Sequence, residues 1–147
     1  MALPLFPTLM LSSALLLAGC ASAPPAPPPL AYVAGAAGAP YSKTVQANGM
    51  VYVAGQLGRA AADPVTSFEL QARQAMDKIA AALGSTGVPM DNVVRCNVYL
   101  TDISKLGDFS KIYVTYFKPD RLPVRTSVGV AALPAGGELE VDCMAAR

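Results

Sequence analysis

The stretch 123-PVRTSVGVAALPAGGELEVDCMA-145 carries the reading of the fold. Two runs, 124–133 and 138–145, alternate with period two and are joined by 134-PAGG-137, as half-buried strands do. In the first run Val124, Thr126, Val128 and Val130 share one face, and Arg125, Ser127 and Gly129 share the other. On the second run, expected to be its partner strand, Leu139, Val141 and Cys143 oppose Glu138, Glu140 and Asp142. If the apolar faces cover helices, Arg125, Ser127 and Glu140 lie on the side away from them. Arg125 is the only charge between Arg121 and Glu138, so its position at the mouth of a strand asks for a reason.

Upstream, 43-KTVQA-47 and 50-MVYVAG-55 flank Asn48-Gly49, the strongest short signal for a β-hairpin. The segment 57-LGRAAADPV-65 reads as a loop with room for a short strand. A helix follows, with Thr66 and Glu69 in capping-box spacing. Its core stripe is Ala72, Met76, Ile79 and Leu83, and Gly84 and Gly87 stop it. The run 92-NVVRCNVYL-100 is a strand with Val94, Cys96, Val98 and Leu100 on one face. A second helix spans 102–117, with Asp102 as N-cap and Leu106, Phe109, Tyr113 and Phe117 on its apolar side. This order predicts an α+β fold: a mostly antiparallel sheet with two helices on one face. The uncovered face, with Val53, Gly55, Gly129, Ala131 and Met144, predicts contact with another copy of the chain. Tyr99, Tyr113 and Tyr116 read as packing residues, and Lys43 and Lys78 as solvated surface charges.

The chain has 147 residues, one domain's worth, and a net charge of +1, which gives no electrostatic pull toward nucleic acid. It has no histidine. That excludes Ser-His-Asp and Cys-His nucleophile pairs and histidine metal sites. No metal and no cofactor is expected. The opening 1-MALPLFPTLMLSSALLLAGCAS-22 is apolar and uncharged, ends in Leu-Ala-Gly-Cys, and enters the Pro/Ala run 23-APPAPPPLA-31. It reads as a secretory signal. Its ending resembles the lipobox of bacterial lipoproteins, which implies lipidation at Cys20. The expected organisation is a signal peptide over 1–19, a lipidated cysteine and extended tether over 20–37, and a folded domain over 38–147. Membrane contact is then through the lipid alone, at the cell envelope, on the outer membrane if the source is Gram-negative. Cys96 and Cys143 read as two buried thiols in strands, with a disulfide as the alternative that an envelope location permits.

Five stretches, in order, are similar to the Rid family (YjgF-type proteins, including 2-iminobutanoate/2-iminopropanoate deaminases). They are 38-GAPYSKTV-45, 52-YVAGQLG-58, 71-QARQAMDKI-79, 91-DNVVRCNVYLTDI-103, and 123-PVRTSVGVAALP-134 with 138-ELEVDC-143. The resemblance implies a chorismate-mutase-like α+β fold and a homotrimer with clefts between subunits. It implies that Arg125 binds the substrate carboxylate and that Glu140 positions or activates water. It implies a cleft lined by Tyr41, Gly55 and Gln56. In the second helix Ser110 stands where the family carries asparagine, and Ser127 stands where cysteine is frequent, so both are candidate substrate-binding positions that depart from the pattern.

The chemistry suits a chain without histidine. A guanidinium holds a carboxylate in two hydrogen bonds and fixes its plane. A carboxylate within reach of a water orients it and takes its proton. The first functional expectation is hydrolysis of small 2-imino acids to 2-oxo acids and ammonia. The second, from another class, is a non-catalytic trimer that holds small carboxylates through Arg125. Nuclease activity, a label some relatives carry, is disfavoured by the neutral charge and the lack of a basic patch.

Overall fold

A computed structural model describes residues 29–58 and 67–147. Cys20, the expected signal peptide and most of the expected tether lie outside the described residues. The elements are β1 (Ala31–Ala34), β2 (Ser42–Ala47), β3 (Met50–Leu57), α1 (Phe68–Gly84), β4 (Val93–Leu100), α2 (Leu106–Tyr113), β5 (Val124–Gly129) and β6 (Leu139–Ala146), with short 3-10 turns between them. They form one six-stranded sheet in the order β1-β2-β3-β6-β4-β5. All neighbours are antiparallel except β4 and β5, which are parallel. The expected α+β architecture is present. β1 falls inside the stretch read as tether, so the sheet begins before residue 38.

Local signals account for most elements. Asn48 and Gly49 both take positive φ, 50° and 75°, which fits the tight turn between β2 and β3. The α1 stripe is buried at Ala72, Met76, Ile79 and Leu83 as expected, with Gln71, Ala75 and Ala82 beside it. The N-cap is Ser67 rather than Thr66: the Ser67 hydroxyl accepts from the Leu70 backbone N–H at 3.3 Å. Glu69 instead pairs with Arg73 one turn on, at 3.0 Å. The second helix is broken rather than continuous. Asp102 caps a 3-10 turn by accepting from the Ser104 N–H, α2 follows, and a second 3-10 turn runs Val114–Tyr116.

Register corrects three expectations. First, β4 is irregular between Val93 and Arg95, so Val93 turns into the core and Val94 outward, 43% exposed. Second, β5 and β6 are not partners. β6 lies between β3 and β4, and β5 pairs with β4 at the sheet edge. The 134-PAGG-137 connection therefore carries the chain across β4 instead of closing a hairpin. Third, the faces of β5 are the reverse of those expected. Arg125, Ser127 and Gly129 stand opposite Cys96, Val98 and Leu100, all three buried under the helices, while Val124 and Val128 face outward. Alternation separates two faces of an edge strand but does not say which is covered. Likewise Val53 lies in the core, and Val53 and Gly129 do not belong to the open face.

The core is one cluster under α1 and α2, including Val51, Met76, Ile79, Leu83, Val98, Leu100, Phe109 and Val141. Within it Cys96 and Cys143 stand directly opposite on β4 and β6, with Cα atoms 4.1 Å apart, and are joined as a disulfide. The expected free thiols are thus replaced by a covalent cross-strand tie, because register brings two inward residues face to face. The opposite face has no helix. A row of side chains crosses all six strands there: Tyr32, Val45, Tyr52, Met144, Arg95 and Val124.

The bridge closes a loop with a sequence separation of 47 residues. In the chain-entropy model such a loop removes about 4 kcal/mol of unfolded-state freedom. The double variant Cys96→Ala/Cys143→Ala is expected to lose a large part of that stability in urea unfolding. Thiol titration of the denatured, unreduced protein tests the tie itself: reactive thiols at these two positions would contradict it.

Candidate functional site

Two half-sites emerge, and they lie on opposite faces of the sheet. The first is built around Arg125 near the start of the edge strand β5. Its Nη2 donates to the Ser110 hydroxyl on α2 at 3.0 Å. Ser110 in turn donates to the Leu106 carbonyl at 2.8 Å, which fixes the rotor and leaves its lone pairs for the arginine. The guanidinium carbon sits 4.9 Å from the Tyr113 ring centre and 5.9 Å from that of Phe109, within cation–π range. Phe109, Tyr113 and Phe117 stack in sequence along the buried side of the helix, so this support is rigid. Burial pushes the Tyr113 hydroxyl up to about 12, partly opposed by the Arg125 charge. No acidic residue pairs with Arg125 among the described residues. The arginine therefore presents an oriented, uncompensated cation. Ser127 is the next residue on the same face of β5 and is partly exposed.

The second half-site is a cleft of about 680 Å³ lined by Tyr41, Gly55, Gln56, Lys78 and Glu140, with Ala36, Ala54, Leu57 and Pro134 as apolar wall. Tyr41 comes from the turn before β2 and is well exposed. Gly55 and Gln56 come from an irregular part of β3, where the pairing with β6 shifts between Val53 and Gln56. The shift brings the backbone at Gly55 against the Glu140 side chain: a Cβ there would run into the carboxylate. Gly55 is thus required as the absence of a side chain. The Gln56 amide donates back to the Ala54 carbonyl at 2.9 Å.

Glu140 is half-buried and its pKa is raised above the ordinary carboxylate value, first by desolvation and then by the nearby Asp142 charge. Asp142 itself accepts from Asn97 at 2.9 Å and from the Tyr99 hydroxyl at 3.1 Å. Among the described residues Glu140 has no ion-pair partner, and a partly desolvated carboxylate of this kind has the character of a proton acceptor.

Of the expected site residues, the structure brings Tyr41, Gly55, Gln56 and Glu140 together, and separately Arg125 and Ser110. It does not bring Arg125 and Glu140 together within one chain. The expectation that both lie on the helix-free face fails at Arg125, because β5 is parallel to β4 and carries its arginine over α2. Ser110 serves Arg125 directly. Two contributors escaped the sequence reading. Tyr113, read as packing, also supports the arginine. Lys78 is exposed, as read from the sequence, and its ammonium also donates to the Leu57 carbonyl at 2.8 Å and lines the cleft.

Comparison with known proteins agrees with this architecture. Residues 32–147 match the family model described as endoribonuclease L-PSP. A RutC family protein of Aquifex aeolicus is 34% identical over 111 residues, covering 74% of this chain and 89% of the relative. A mouse protein named 2-iminobutanoate/2-iminopropanoate deaminase is 36% identical over 115 residues, covering 74% of this chain and 82% of the relative. Among solved structures, RidA from the Antarctic bacterium Psychrobacter sp. PAMC 21119 superposes with a TM-score of 0.70 at 33% identity, over 76% of this chain and 92% of its own. Yeast Mmf1 superposes with a TM-score of 0.68 at 32% identity, over 80% and 93%. With the family model covering the described fold and the relatives covered over most of their length, the chain belongs to the Rid/YjgF family, the family described as endoribonuclease L-PSP.

Proposed function

We propose that the protein hydrolyses small 2-imino acids to 2-oxo acids and ammonia, at a cleft completed by a second copy of the chain. The observation that carries this reading is the split site. An unpaired, well-supported Arg125 and a desolvated Glu140 lie on opposite faces of one sheet, so a single chain cannot apply both to one small molecule. The helix-free face with its row from Tyr32 to Val124 is offered as the surface on which copies meet, and the homotrimer with three equivalent clefts is taken from the family resemblance.

In this cleft Arg125 of one copy binds the substrate carboxylate in two hydrogen bonds, while Glu140 of the next holds a water against the imine carbon. The water oxygen bonds to that carbon as Glu140 takes its proton, giving a tetrahedral aminoalcohol. Glu140 returns that proton to the imine nitrogen, which completes the neutral aminoalcohol, and then carries the hydroxyl proton to the amino group as the C–N bond breaks, so that ammonia leaves and the carbonyl forms. No redox partner is consumed. Tyr41 lines the same cleft as a donor for the polar atoms of the adduct. Relatives at about 35% identity that are named imine deaminases support the reading. A non-catalytic carboxylate binder would use the same arginine and show no turnover.

The lipid anchor at Cys20 and an envelope location belong to the same proposal. The Leu-Ala-Gly-Cys sequence and the Cys96–Cys143 bridge both favour an oxidising compartment. Metabolic labelling with a fatty acid should mark the wild-type chain and not Cys20→Ala; an unlabelled wild type refutes the anchor.

Imines generated from amino acids by an amino-acid oxidase provide the activity test. Arg125→Ala is expected to raise KM by about 100-fold, the loss of two charge-assisted hydrogen bonds. Glu140→Ala is expected to lower kcat by at least about 100-fold. Wild type that leaves the imine half-life unchanged defeats the deaminase reading. Glu140 works ionised, so the rate should rise with pH through its folded pKa, which lies above the usual glutamate value. Asp142→Asn removes a charge that raises this pKa, and its acid limb should shift to lower pH.

A further inference from the structure

Lys78 occupies a place in the cleft that the reaction above does not use. Among the described residues lining the cleft it is the one cation, as Glu140 is the one anion. It rises from the middle of α1 as an exposed residue, next along the helix surface to the buried Ala75 and Ala82. Its Nζ donates to the backbone carbonyl of Leu57, the last residue of β3. Leu57 is the register partner of Glu140 on β6, so the lysine is tied to the strand that stands beside the glutamate. A lysine tail in water loses rotamer freedom when ordered, and here a fixed backbone acceptor orders it. An ammonium has three N–H donors, and the carbonyl takes one. The others remain for a ligand.

Among the described residues Lys78 and Glu140 form no ion pair with each other. Its charge therefore sits in the cleft apart from the proton acceptor, where a second anionic group of a substrate would reach it. We infer that Lys78 selects substrates carrying a second, distal carboxylate, so that the preferred class is 2-imino dicarboxylic acids rather than their short alkyl counterparts. The inference rests on reading this cleft as the substrate site: Arg125 of the neighbouring copy takes the carboxylate next to the imine, and Lys78 takes the far one. It assigns Lys78 a specificity role, with no part in proton transfer.

Equilibrium binding of two stable 2-oxo acids tests the inference without requiring turnover. Titration calorimetry of the intact protein with 2-oxoglutarate and with 2-oxobutanoate should give wild-type affinity about tenfold higher for the dicarboxylate, one charge-assisted hydrogen bond's worth. Lys78→Gln keeps an N–H donor for the Leu57 carbonyl and removes the charge, and the ratio should fall to about one. Lys78→Arg keeps the charge and should retain the preference. Equal wild-type affinities, or a preference that persists in Lys78→Gln, overturn the assignment. A purely structural lysine would shift both affinities together and leave the ratio alone, which also overturns it. Hydrolysis assays on imines made from alanine and glutamate report separately on the reaction. A binding preference without turnover defeats the deaminase reading and leaves the role of Lys78 standing.

Discussion

A strand that returns through a helix comes back parallel to the strand it left, and this constraint governs the molecule. The crossover β4–α2–β5 places β5 beside β4 at the sheet edge, and β6 takes the other side of β4. Arg125 consequently rises over α2 and rests on Ser110 and Tyr113. Glu140, two strands away, faces the other side of the sheet. Each residue is well placed and incomplete. Among the described residues the exposed Arg125 guanidinium has no anion and the half-buried Glu140 carboxylate has no cation. Bringing a second copy against the open face pairs these needs and covers an apolar row at the same step.

The supporting parts follow from the same arrangement. The disulfide between Cys96 and Cys143 ties β4 to β6, the two central strands that carry or adjoin both half-sites. Cys96 is also the register partner of Arg125, so the tie stiffens the strand against which the arginine is hung. On the far side, the irregular pairing near Gly55 opens space for the Glu140 carboxylate, which any side chain at that position would fill. Precision in each half-site therefore comes from the backbone, while the chemistry comes from a few side chains.

Much of this was legible in the sequence. Asn48-Gly49 located the hairpin, the Ala72–Leu83 stripe located α1, and period-two alternation located the last two strands. The residues of the cleft, Tyr41, Gly55, Gln56 and Glu140, were named from the family resemblance and are adjacent in the structure. What the sequence could not disclose is which strands pair. Val124 and Val128 look like core residues by composition, yet an edge strand can turn its apolar side toward a partner molecule. The same ignorance of register hid the meeting of Cys96 with Cys143. Lys78 is exposed as read, and what the sequence could not disclose is its hydrogen bond to Leu57, which depends on how α1 packs beside the end of β3.

The central claim is that Arg125 and Glu140 act on one substrate from different copies of the chain. Complementation tests it most directly. Arg125→Ala and Glu140→Ala chains, each strongly impaired alone at substrate concentrations below the wild-type KM, are co-expressed with different tags and the mixed assemblies purified. Every mixed trimer, whether two-to-one or one-to-two, has roughly one cleft in three that pairs an intact arginine with an intact glutamate. The account predicts recovery of about a third of the wild-type rate. Mixed assemblies that remain as impaired as either parent would contradict it.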